Sequence, residues 1–143
     1  MNRSIFLLAT ILLLSGCSED SMVSSSSDIE EMEENTSTVR TGLFTPLAAG
    51  KVAMGSATLR TVEGGALRLD FSENFSLTDG PGLFVFLSNS EFVSPDAVNL
   101  GSFISPEGIQ MYTVPDGLSL DSFTHVAVHC IPYNVTFAFA ELK

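Results

Sequence analysis

Basic side chains are scarce: 6 Lys and Arg stand against 17 Asp and Glu, for a formal net charge of -11. Such a chain repels phosphate backbones, so nucleic acid is excluded as an expected partner. Tryptophan is absent and cysteine occurs only twice, at Cys17 and Cys130. Helical periodicity is nowhere sustained, and no apolar run approaches the roughly 20 residues that cross a bilayer as a helix. The chain also lacks a Gly-x-Ser-x-Gly element, a cofactor-binding glycine fingerprint and a recognisable glycosidase carboxylate pair. Asp79, Asp96 and Asp116 lie in turn-like stretches without calcium-loop spacing. An enzyme is therefore not the expectation.

What is present is apolar enough to fold. Hydrophobic residues make up 45% of 143 positions and include 11 Phe, a composition suited to one domain of roughly 100 residues. Arg3, the apolar stretch Ile5 to Leu14 and then Leu14-Ser15-Gly16-Cys17 resemble a bacterial lipoprotein signal peptide closed by a lipobox. The resemblance implies removal of residues 1–16 and lipidation at Cys17, whose sulfur is then unavailable for a disulfide. Residues 17–41 contain Ser24-Ser25-Ser26-Ser27 and an acidic cluster from Asp28 to Glu34, the composition of an extended, self-repelling tether. Ser18, Glu19 and Asp20 resemble the serine-then-acid signals that send some lipoproteins to the cell surface, and Ser18 fits sorting to the outer membrane. The expected location is the cell envelope, with the membrane engaged through the lipid.

From Gly42 onward, short alternating segments are broken by turn residues at the spacing of an antiparallel all-β sandwich, immunoglobulin-like or DOMON-like in general architecture. Val52 to Val62 and Ala66 to Phe71, joined through Glu63-Gly64-Gly65, read as a hairpin. Leu83 to Leu87 reads as a central strand after Asp79-Gly80-Pro81-Gly82. Ile109 to Val114, His125 to Ile131 and Val135 to Leu142 complete the set. In the last of these, strict alternation places Val135, Phe137 and Phe139 on one face and Thr136, Ala138 and Ala140 on the other.

Four of these pieces, in order, resemble the DM13 family: Asp79-Gly80-Pro81-Gly82 with the strand Leu83 to Ser88; Leu100-Gly101; Gly108 to Pro115; and the closing pair Val126 to Cys130 and Val135 to Leu142. The resemblance spans 42–143. It implies a β-sandwich associated with extracytoplasmic redox chemistry, in which a cysteine, here Cys130, is proposed to take part in electron transfer. His129 departs from the aromatic residue that often precedes that cysteine in the family.

Alternation puts Val126, Val128 and Cys130 on one face of their strand and His125, Ala127 and His129 on the other. A cysteine among valines reads first as a small buried hydrophobe. Imidazole and thiolate are ligands of copper and zinc, but residues four apart on a strand lie about 13 Å apart, so His125 and His129 are poorly placed to share one ion with Cys130. No metal ligand set is assigned; the cofactor is left unknown, with copper or another redox metal open. His129, His125, Tyr112 and Tyr133 are the candidate neighbours of the thiol. The expected function is a lipid-anchored accessory domain exchanging electrons at Cys130 with a redox or envelope protein partner. The alternative is a non-catalytic envelope-binding or adhesion module using the loops Ser88 to Asn99 and Pro115 to Thr124.

Overall fold

The computed structural model describes residues 39–143. The expected leader, Cys17 and most of the expected tether lie outside the described residues. Ten strands follow one another: β1 (Val39–Pro46), β2 (Ala53–Met54), β3 (Ser56–Thr61), β4 (Leu67–Phe71), β5 (Ser76–Leu77), β6 (Leu83–Ser88), β7 (Val98–Ser102), β8 (Gln110–Thr113), β9 (His125–Cys130) and β10 (Val135–Glu141). Strand β1 begins ahead of residue 42, where the sequence pattern places the domain boundary.

Eight strands form one antiparallel sheet in the order β7-β6-β9-β10-β1-β3-β4-β8, and β2 pairs with β5 alone. The all-β antiparallel expectation holds, but the strands do not divide into the two stacked sheets of the expected sandwich. One continuous ladder curls into a nearly closed, barrel-like sheet, and β1 is what joins its halves. Val39 to Leu43 pair with β3 while Phe44 to Pro46 pair with β10. Thr41 and Lys143 exchange both backbone hydrogen bonds at 3.1 Å. The end strands β7 and β8 come close without a hydrogen-bonded ladder. Between them, Phe103 N–H donates to the Leu83 carbonyl at 2.9 Å and Gly108 N–H to the Phe75 carbonyl at 3.0 Å, so the connecting segment fills the gap.

The interior is aromatic on one side of the barrel. Phe44 and Phe71 meet edge-on at 4.8 Å, Phe71 and Phe75 lie 4.7 Å apart, and Tyr112 packs on Phe71 at 5.3 Å. Such ring pairs add about 0.5–1.5 kcal/mol each beyond their buried area. Val85, Val126, Val128 and Cys130 line the other side, all fully buried.

Two local patterns differ from simple alternation. The expected strand Val52 to Val62 is broken at Gly55, which has φ +90 and whose missing Cβ would lie 2.6 Å from the Phe75 Cα. Only glycine fits both conditions. In β10 the register against β9 shifts between Thr136 and Ala138. The extra residue, Phe137, turns into the core with Ala138 and Ala140, while Phe139 stays outside. A β-bulge re-aims one side chain in this way, so Phe137 and Phe139 do not share a face.

Candidate functional site

Cys130 ends β9, paired with Leu83 of β6 and Val135 of β10. Its side chain points inward with Val126 and Val128 and has no exposed surface. The thiol donates a hydrogen bond to the Pro81 carbonyl at 2.9 Å. Pro81 is itself exposed, so the sulfur lies one residue beneath the surface.

The cover over the sulfur is the turn from Asp79 to Gly82. Asp79 Oδ1 accepts from the N–H of the adjacent Gly80 at 2.8 Å. Gly80 lies against the Phe137 ring so closely that a Cβ there would come within 2.5 Å of the ring. Gly82 has φ +60, its missing Cβ would meet Pro132 at 2.6 Å, and its carbonyl accepts from the Ile131 N–H at 3.1 Å. Turn, bulge and the β9–β10 connection are thereby fastened around one thiol. Lys51 Nζ lies 4.3 Å from the centre of the Phe137 ring, a cation–π contact at the same end of the barrel. It is in no ion pair among the described residues.

The four candidate neighbours are dispersed. His129 faces the opposite side of β9, buried at 8% exposure, with Nδ1 3.0 Å from Thr136 Oγ1 and its ring edge-on to Phe86. Burial lowers its pKa, opposed by a side-chain hydrogen bond with Asn134. His125 bonds Thr124 Oγ1 through Nδ1 at 2.8 Å and lies beside Phe139 on the outside. Tyr133 sits in the β9–β10 turn, 69% exposed. Tyr112 is buried on β8, where it donates to Gln110 Oε1 and accepts from the Ile104 N–H at 3.2 Å. Burial pushes its phenol up to about 12. It has no hydrogen bond or ring contact with Cys130 among those of the described residues.

The donors do not fit a copper or zinc site. The imidazoles and the thiol occupy opposite faces of β9, and among the described residues no three His, Cys, Asp or Glu side chains converge. Clefts of about 400 and 350 Å3 open on the surface of the described residues, and Cys130 lines neither. No helix among the described residues is long and apolar enough to cross a membrane.

Sequence reading missed the partners that matter most here. Pro81 was visible in a turn motif, but nothing in the sequence joins it to a cysteine 49 positions away. Phe137 was hidden by its bulge, and Lys51 by the loop that carries it. No curated protein and no solved structure matches the chain. A family model described as "Electron transfer DM13" matches residues 49–142.

Proposed function

The chain belongs to the DM13 family, and from that premise we propose that it is an electron-transfer domain whose redox group is the Cys130 thiol. The carrying observation is the position of that thiol, fully buried yet one exposed residue from solvent and hydrogen-bonded to it. Cys130 is also the free cysteine of the described residues. In this reading Cys130 gives up one electron to an oxidised metal centre of a partner protein while its S–H proton leaves to a solvent base. Reduction returns both. An electron can pass through one residue of cover without a covalent mixed disulfide. The domain is carried on a lipid at Cys17 and an acidic tether, displayed at the cell envelope, in the outer membrane.

A one-electron oxidant too large to enter the fold tests this reading. Rapid mixing of the chain with a substitution-inert, highly charged metal complex is expected to give a sulfur-centred radical detectable by freeze-quench electron paramagnetic resonance. Cys130→Ser abolishes that signal if Cys130 is the site. Equal oxidant consumption by the two proteins would overturn the assignment.

A second reading, a non-catalytic envelope-binding module, is favoured by one observation: the cleft of about 350 Å3 opens beside Phe92 and Val93, within the loop that joins β6 to β7.

A further inference from the structure

The smaller cleft lies on the outer face of β9 and β10, with a buried imidazole in its lining. His129 and Thr136 are polar and buried, while Leu47, Phe92, Val93 and Val135 supply apolar walls. Phe92 leaves 54% of its surface exposed and Val135 38%. A large apolar side chain left in water beside a polar cluster has surface available for a ligand.

The lining restricts what can bind. It holds no Lys or Arg, so nothing balances a phosphate or carboxylate; it holds no Asp or Glu, so nothing balances a cation. His129 does not supply charge, because burial favours its neutral form. A metal would find one imidazole and no second strong ligand in the lining. An uncharged occupant remains. Its body must be apolar to cover Phe92, Val93 and Leu47. An oxygen at one end would meet the N–H donors of the exposed Asn134 amide, beside His129 and Thr136. A volume of about 350 Å3 is at the small end for ligand sites, suited to a single substituted ring.

We propose that this cleft binds a small, uncharged aromatic compound bearing a carbonyl or hydroxyl oxygen, with its ring against Phe92 and its oxygen at Asn134 beside His129. Binding makes and breaks no covalent bond. The site stands independently of the Cys130 reading, since it occupies the opposite face of β9.

The test titrates the full chain with three probes while following the His129 ring resonances by NMR: a fully substituted dimethoxy-dimethyl-benzoquinone, 4-ethylphenol and benzoate. The quinone has no free ring position to which a thiol can add. A saturable shift of His129 with the quinone or the phenol, and at least tenfold weaker binding of benzoate, is the expected result. The more tightly bound of the two identifies carbonyl or hydroxyl as the preferred oxygen. Phe92→Ser, at an exposed position that leaves the core intact, weakens binding at least fivefold, and Asn134→Gly, which removes the amide while tolerating the φ of 54 there, does the same. No saturable shift with either neutral probe, benzoate binding as tightly as both, or unchanged binding in Phe92→Ser would each overturn the proposal.

Discussion

The Cys130 sulfur and the Pro81 carbonyl oxygen lie 2.9 Å apart, which ties the end of one central strand to the turn that precedes its neighbour. Thiol and cover are thus one unit, since the turn cannot lift without breaking the hydrogen bond.

Cys130 labelling should report on that cover. In Gly80→Ala the new Cβ meets the Phe137 ring at 2.5–2.7 Å, so turn or ring must move. We expect the Cys130 peptide to be alkylated at least tenfold faster than in the unaltered chain, as read by mass spectrometry of timed digests. Equal rates would mean that the thiol is reached by some other opening.

Acid should weaken the fold through His129. Its folded pKa is lowered, first by burial, so the unfolded chain takes up the proton at a higher pH than the folded one. The contribution of His129 is therefore intact above the ordinary value of 6.5 and is lost as pH falls through that value toward the folded one. Urea unfolding from pH 8 to 5 should show this loss, and His129→Gln should flatten that part of the curve. Parallel curves would show that His129 contributes nothing to it.

Alkali acts through the other buried titratable ring. Tyr112 has its phenol raised from 10.0 to about 12 by burial. Stability from the neutral phenol is complete below about pH 10 and declines between there and 12, because the unfolded chain ionises first. An ultraviolet phenolate titration should contain a step near 12 that disappears in Tyr112→Phe. A Tyr112→Phe titration superimposable on the original would contradict the assignment.

Arg40 should matter far more than a tether residue. Its guanidinium donates to the carbonyls of Leu120, Phe123 and Leu142 at 3.1, 3.0 and 2.6 Å, and its side chain is only 18% exposed. The exposed Asp121 at 3.8 Å adds little. Replacing Arg40 with Met orphans three acceptors and should cost about 2–4 kcal/mol, measured as a shift in the urea midpoint at unchanged slope. A change under about 0.5 kcal/mol would show that water replaces the guanidinium freely.

Much of this arrangement was legible where side chains alternate. Val126, Val128 and Cys130 fall inside by simple period-two reasoning, and the β3–β4 hairpin follows from two apolar runs flanking paired glycines. Legibility ended where the backbone departs from regularity or where distant segments meet. The bulge at Phe137 leaves no mark in composition. Strand β7, Val-Asn-Leu-Gly-Ser, lacks the β-branched and aromatic run that announces a strand and forms as a partner for β6. Arg40 belongs by composition to the acidic stretch before it, and by structure to the barrel. Of the site, the cysteine and the glycine-proline turn were each visible, but their meeting is a property of the tertiary fold.

The pairing of β1 with β10 has a consequence for how the chain reaches this state. These are the first and last strands, and their ladder, with the Thr41–Lys143 exchange, joins the opposite ends of the described chain. Such distant pairing carries a large loop-closure entropy and slows folding relative to local contacts. The refolding chain can form the β3–β4 hairpin early, but β9 and β1 each keep an unpaired edge until β10 docks between them. Chains truncated before Val135 should accordingly stay protease-sensitive, whereas the full chain acquires protection in one late step.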